Sequence, residues 1–174
     1  MDKKDLMMSL LGGLMVIALI AGSILLRRNN YTAYDRNHTW YVEYDAASGK
    51  DLLVRGKKLK GISADINKVV IALNRATVEM EAPAAKSQEG ALEPPRLRLE
   101  RVGEGIAFVE VINAEYLTQR MGTSGAQNYL AAVTYSLTET PGVRGVNFAF
   151  PEGDHAMPGE YNRQSFPDYA IAGK

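Results

Sequence analysis

The 174-residue sequence predicts an α+β fold behind an N-terminal transmembrane helix. Residues 6–26 form a long apolar run, residues 96–112 alternate as a β-hairpin does, and two further stretches carry apolar residues at helical spacing. The predicted elements follow the order ββαββαβ. We therefore expect a two-layer sandwich, in which both helices pack on one face of a small mixed sheet.

The apolar run has the length and composition of a membrane span. Residues 6–26 carry no charge, and about 20 apolar residues cross the hydrocarbon core of a bilayer as a helix. A cleaved signal peptide has a shorter apolar core of about 7–15 residues, whereas here Arg27 and Arg28 follow the long run directly. We predict an uncleaved anchor over residues 1–28 that contacts membrane lipid. Basic residues are nearly equal in number on its two sides, so charge alone does not orient it.

The rest of the chain has the composition of one soluble domain. Residues 29–174 contain 16 basic and 18 acidic residues, a net charge of −2. Nucleic-acid binding requires a basic surface, so we expect no nucleic-acid partner. The absence of Cys excludes disulfides and thiolate chemistry. We divide this part into a linker (29–39), a domain (40–159) and a polar, loosely docked tail (160–174).

The first half of the domain predicts two strands and a helix. Residues 40–44 (WYVEY) are aromatic and β-branched, and residues 52–54 (LLV) follow a turn at 45–49. We expect the first helix to begin near Ser63, because Ser accepts hydrogen bonds from free backbone N–H groups at a helix start. The apolar stripe of this helix is Ile66, Val69, Val70 and Leu73. The Ala- and Pro-rich residues 82–95 then predict a long loop or flexible insertion.

The second half predicts a hairpin, a helix and a last strand. Residues 96–102 and 106–112 flank the turn 103–105, which favours a β-hairpin. Ser124, with Gln127 three residues later, predicts a capping box at the start of the second helix. The apolar stripe of that helix is Ala126, Leu130, Val133 and Leu137. Pro141 and Gly142 stop the helix, and residues 143–150 (VRGVNFAF) predict the last strand.

Residues 135–146 (YSLTETPGVRGV) resemble the signature of the GerMN domain family, found in sporulation and spore-germination proteins. The matching residues are Leu137, Thr138, Glu139, Pro141, Gly142, Val143, Val146, Glu152 and Gly153. Residues 41–44, 51–54 and 106–113 resemble earlier strands of the family, so the resemblance covers about residues 40–159. Two departures are the missing Gly-Pro turn after Leu73 and Glu110 in place of the family's aspartate.

The resemblance implies a bacterial, membrane-tethered envelope protein. It places the N-terminus in the cytoplasm and the domain outside, which orients the anchor in the cell membrane. Families of this kind are similar to ring-building modules that assemble side by side, and they have no established catalytic residues. We therefore expect a non-enzymatic protein that binds protein partners or itself, with no cofactor. Thr138, Glu139 and Arg144 are the candidates for an exposed partner-binding surface.

Catalytic and metal sites find little support in the sequence. His38 falls in the linker, and Asp154 and His155 form a pair without a third ligand at a set spacing. Glu104, Glu110 and Glu115 could supply paired carboxylates, although an exposed polar face explains them better. Residues 122–125 (GTSG) could hold an anion, but they lack the Lys and the spacing of a phosphate-binding loop.

Two alternatives to the assembly domain stay open. The first is an enzyme, or an accessory of one, that acts on the cell wall. It would require a cleft lined together by Glu110, Glu115 and His155. The second is an accessory subunit of a larger membrane complex, held mainly through the transmembrane helix at residues 6–26.

Overall fold

The computed structural model describes residues 38–58, 65–85 and 92–172, and within them the α+β class is confirmed. The strands are β1 His38–Asp45, β2 Lys50–Lys58, β3 Arg96–Gly103, β4 Ile106–Ile112, β5 Gly145–Ala149, β6 Gly159–Tyr161 and β7 Ala170–Ile171. The helices are α1 Ile66–Ala85 and α2 Gly122–Leu137, with a π-helical segment at Tyr116–Arg120 and a 3₁₀ turn at Arg163–Ser165.

The predicted membrane anchor and the proposed helix start at Ser63 lie outside the described residues. Within the part of the chain that the structure describes, neither helix is long and apolar enough to span a bilayer. β1 begins at His38, two residues before the predicted domain boundary, and the His38 ring Nδ1 lies 3.0 Å from the Gly56 carbonyl oxygen. His38 is therefore part of the first strand.

The described strands form two sheets, so the prediction of one small sheet is wrong. The first sheet has the order β1-β2-β7 and the second has the order β3-β4-β5-β6. Each sheet is mixed, because β2 pairs with β7 in parallel and β4 pairs with β5 in parallel. The strands β6 and β7 are only three and two residues long. Strands so short show no alternation, and the sequence pattern therefore gave no sign of them.

The predicted hairpin of β3 and β4 is confirmed. Gly103 pairs with Ile106 across a two-residue turn, in which Glu104 and Gly105 both have positive φ, 53° and 79°. Such turns suit hairpins, because their twist matches that of the strands. A Cβ at Gly105 would lie 2.6 Å from the Arg144 Nε, so a larger residue would also clash there.

The first helix buries its predicted stripe and shields a sheet edge. Val69, Val70 and Leu73 are at most 6% exposed. The Asn74 side-chain amide donates to the Leu97 carbonyl oxygen (2.9 Å) and accepts from the Leu97 N–H (2.7 Å). Asn74 thereby satisfies backbone groups at the edge of β3. The helix continues to Ala85, so the first residues of the predicted loop at 82–95 are helical instead.

The second helix begins without the predicted capping box. Met121 precedes its first residue, Gly122, and no side chain caps this end. The Met121 N–H donates to the Tyr116 carbonyl oxygen (3.1 Å), so backbone hydrogen bonding already runs through the π-helical segment into the helix. Ser124 therefore lies inside the first turn, where it is exposed. The predicted stripe is confirmed by the burial of Ala126, Leu130, Val133 and Leu137.

The segment after residue 159 is docked on the domain, which corrects the expectation of a loosely docked tail. Phe166 is 3% exposed, stacks on Tyr161 (5.9 Å between centroids) and meets Tyr169 edge to face (6.0 Å). β7 then pairs with β2, and the Ala172 N–H donates to the Leu53 carbonyl oxygen (3.0 Å). Three rings spaced along a polar stretch have no helical or strand period, so only the tertiary contacts show their role.

We expect Leu130→Ala to lower the free energy of unfolding by about 2–5 kcal/mol, because it leaves a cavity in a fully buried site. Urea denaturation of the full chain, followed by circular dichroism, measures this change. The matched control is Ile71→Ala on α1, where the side chain is 58% exposed and the change should stay within about 0.5 kcal/mol. Equal losses for the two variants would contradict this placement of the core.

Burial of the Tyr169 hydroxyl, together with the nearby negative charges of Asp51 and Asp168, raises its pKa to about 12. The folded state thus holds this proton more tightly than the unfolded state, whose pKa is near 10.0. The resulting stabilisation is complete below about pH 10 and is lost as the pH rises towards 12. A spectrophotometric tyrosinate titration should show a step near pH 12 that disappears in Tyr169→Phe. Persistence of that step in the variant would contradict the assignment.

Candidate interaction surface

The three residues expected at a partner surface lie in different environments. Arg144 is exposed and Thr138 is half-buried, but Glu139 is only 7% exposed. The expectation that Glu139 is exposed is therefore wrong. The reason lies in the segment that follows α2. This segment turns back against the start of β1 and places the carboxylate beside the indole N–H of Trp40.

The carboxylate of Glu139 is held by two donors. Its Oε1 accepts from the Trp40 indole N–H (3.2 Å) and forms an ion pair with the Arg163 guanidinium (3.0 Å). A buried carboxylate is stable only with such charged or hydrogen-bonding partners. Glu139 therefore contributes to internal cohesion, with both of these contacts on Oε1.

Arg163 fastens the C-terminal segment to the end of α2. Its Nε donates to the Thr138 hydroxyl (2.9 Å), and its Nη2 donates to the Tyr135 carbonyl oxygen (3.2 Å) as well as to Glu139. The guanidinium also lies over the Tyr135 ring, 4.8 Å from the centroid, which favours the cation. Sequence reasoning missed Arg163, because it lies 24 residues after Glu139 in a stretch interpreted as a polar tail.

Arg144 lies at the hairpin end of the four-stranded sheet. Its Nη2 donates to the Glu104 carbonyl oxygen (2.8 Å), and its backbone N–H donates to the Gly105 carbonyl oxygen (2.7 Å). These bonds tie the turn between β3 and β4 to the start of β5. Arg144 thus remains at the surface, although one side of its guanidinium already has a backbone partner.

A broad exposed surface lies on one face of the four-stranded sheet. Successive side chains of a strand point to opposite faces, and Leu97, Val109 and Phe148 mark the buried face. The opposite face, here called the outer face, carries Arg96, Arg98, Arg101, Phe108, Glu110, Ile112, Asn147 and Ala149. Arg96 and Arg98 follow from the alternation of RLRLERV, whereas Arg101 reaches this face because a bulge lies between Leu99 and Arg101.

The outer face combines charged, aromatic and aliphatic groups. The Arg101 guanidinium lies 3.5 Å from the centroid of the Phe108 ring. Arg98 pairs with Glu100 (2.7 Å) and with Glu110, and these partners, Glu100 first, raise the pKa of its guanidinium. Ile112 is 40% exposed nearby. Exposed ion pairs add little to stability, whereas arginine and aromatic residues are enriched in protein interfaces.

The residues of the enzyme hypothesis do not meet through any described contact. Glu110 pairs with Arg98 on the outer face, and Glu115 is exposed just after β4. His155 Nδ1 instead lies 3.2 Å from the Thr123 hydroxyl. Among the described residues, no three His, Asp or Glu side chains are grouped closely enough to hold a metal ion.

Comparison with solved structures finds a protein of the family that the sequence motif resembles. The chain is similar to the tandem GerMN domains of the sporulation protein GerM from Bacillus subtilis, with 15% sequence identity and a TM-score of 0.43. The match covers 72% of this chain and 46% of that chain, so the chain spans less than half of the solved protein's length. No family model matches the chain, and no curated protein matches it.

We expect Glu139→Gln and Arg163→Met each to destabilise the domain. Breaking a buried ion pair leaves one partner without its counter-charge, a loss of up to about 3–5 kcal/mol that solvent screening of the 38% exposed Arg163 reduces. The double variant should show a coupling free energy of about 0.5–3 kcal/mol in urea denaturation. Arg120→Met, at an exposed arginine outside the cluster, is the control. Strictly additive losses would contradict the contact.

Proposed function

We propose that this chain is a non-enzymatic, single-pass envelope protein whose extracytoplasmic domain mediates protein–protein assembly. The apolar residues 6–26 support the tether, and the motif at residues 135–146 supports membership of an envelope-associated family. A role in spore formation or germination is part of this proposal and comes from the same resemblance.

The outer face is the observation that carries the assembly role. It exposes Arg98 and Ile112 beside the stacked pair of Arg101 and Phe108, and arginine and aromatic residues are enriched in protein interfaces. Its exposed ion pairs contribute little to folding, which leaves them available for a partner. We propose the outer face in place of the expected surface of Thr138, Glu139 and Arg144, because Glu139 is buried.

The second candidate is an accessory subunit held in a larger complex mainly through its anchor. The length of the uncharged run at residues 6–26 favours it, since such a helix can itself contact other membrane helices. The two candidates differ in which part of the chain a partner requires. Replacing residues 6–26 by an unrelated apolar helix separates them, because only the second candidate then loses its partner.

We expect the double variant Arg98→Ser/Ile112→Ser to lose its partner in cells. Crosslinking in intact cells of the source organism, followed by pull-down through a C-terminal tag and mass spectrometry, measures the partner's recovery. The matched control is Ile71→Ser/Arg75→Ser, which removes an exposed isoleucine and an exposed arginine from α1. Each residue pair contributes similar chemistry, so only their locations differ.

Recovery that falls at least tenfold in the outer-face variant but not in the α1 control supports the proposal. Equal recovery from both variants would overturn the role of the outer face. Sedimentation of the purified chain at several concentrations then identifies self-association, because only a self-associating chain shows a mass that rises with concentration. Urea denaturation should show that both variants remain folded.

A further inference from the structure

A second surface feature, separate from the outer face, is a groove with a volume of about 660 Å³. Three segments form it: the turn between β1 and β2, the first turns of α2, and residues 165–169. Its volume falls within the range of about 300–1,000 Å³ that is usual for small-molecule sites. The groove is partly open to solvent.

The C-terminal wall of the groove is fixed in place by internal contacts. Phe166 is buried behind it, and the Tyr169 hydroxyl donates to the Asn128 side-chain oxygen (2.5 Å). The preceding turn is held by a reciprocal pair of bonds, in which the Asn162 side chain accepts from the Gln164 N–H (2.8 Å) and Ser165 accepts from the Asn162 N–H (3.1 Å). A wall held this way is preorganised, which lowers the entropy cost of binding.

Polar side chains without a protein partner line the groove. Among the described residues, the side chains of Lys50, Asp51, Gln127 and Asp168 line the groove and have no hydrogen-bond or ion-pair partner. The exposed Ser124 hydroxyl lies at the start of α2, where no side chain caps the helix, and the neighbouring Thr123 hydroxyl lies 3.2 Å from His155 Nδ1. The groove therefore offers carboxylate, amide, hydroxyl and ammonium groups within one concave surface.

We propose that this groove binds a short oligosaccharide. Each sugar hydroxyl both donates and accepts, which matches a surface where acceptors such as Asp51 and Asp168 lie beside donors such as Lys50. The side-chain amide of Gln127 both donates and accepts hydrogen bonds. The half-buried Tyr169 adds an apolar ring beside these groups, which suits the C–H face of a sugar.

The charges of the groove argue against other ligand classes. Two carboxylates and one ammonium group give a net charge near −1, which disfavours phosphates and other strong anions. An apolar peptide or lipid would leave several polar groups unpaired, which costs binding free energy. A ligand that is neutral and rich in hydroxyl groups satisfies the groups present without an unpaired charge.

The test is saturation-transfer NMR of the full chain with chitotriose and maltotriose, in a detergent whose headgroup is not a sugar. We expect binding of at least one of these probes, weakened about tenfold or more in Asp168→Asn and in Gln127→Ala. Asn replaces a charge-assisted hydrogen bond to the ligand by a weaker neutral one, and Ala removes the hydrogen bonds of the amide. The matched control is Asp154→Asn, at an exposed aspartate outside the groove, which should bind like the parent chain.

Absence of saturation transfer from both probes at millimolar concentration would overturn the proposal, as would equal binding by the parent chain and both groove variants. The outer-face variant Arg98→Ser/Ile112→Ser should retain sugar binding in full. Failure of the assembly role therefore leaves this result unchanged, and the two proposals fail or stand separately.

Discussion

The burial of α2 between the two sheets is the constraint on which the rest of the domain depends. From Tyr129 to Leu137, only Ala132 is partly open to solvent, and the helix contacts both β1 and β5. Such a helix has almost no polar face, so a hydroxyl buried on it is costly unless it has an internal partner. Among the described residues, the Tyr129 and Thr134 hydroxyls have none. Ser136 does have partners, because its Oγ accepts from the Trp40 N–H (2.7 Å) and donates to the Ala132 carbonyl oxygen (2.7 Å). One side chain thus joins the helix to the edge of the first sheet.

The family-like motif follows from this arrangement. Once α2 ends beside β1, the next residues place Glu139 beneath Trp40, and Gly142, with φ of 84°, turns the chain towards β5. Arg163 then closes the cluster from the C-terminal segment. The residues that make this stretch distinctive in sequence therefore serve the fold, and their pattern is informative about architecture rather than about a partner.

The sequence predicted the elements whose patterns are long and local. The alternation around Leu97 and Val109 identified the hairpin, and the stripe through Leu130 identified α2, because burial of one face imposes a period on the chain. The strand β7 was missed, since it is two residues long and pairs with a strand far away in sequence. The capping box failed because the π-helical segment already supplied backbone partners at that helix start. For the candidate site, alternation indicated the exposure of Arg96 and Arg98, but it did not predict the bulge that places Arg101 beside them. No local pattern linked Arg163 to Glu139.

The construction of β3 indicates how a partner can use the four-stranded sheet. At the edge of this strand, the Asn74 side chain forms hydrogen bonds with the backbone N–H and carbonyl oxygen of Leu97. A bulge between Leu99 and Arg101 interrupts the pairing register of β3 with β4. Bulges and charged side chains prevent an edge strand from pairing with another chain. Extension of the sheet at β3 is therefore disfavoured, whereas the outer face stays open. In the proposed assembly, a partner accordingly contacts the side chains of that face, and its specificity depends on the arrangement of arginine, carboxylate and Ile112 rather than on backbone pairing.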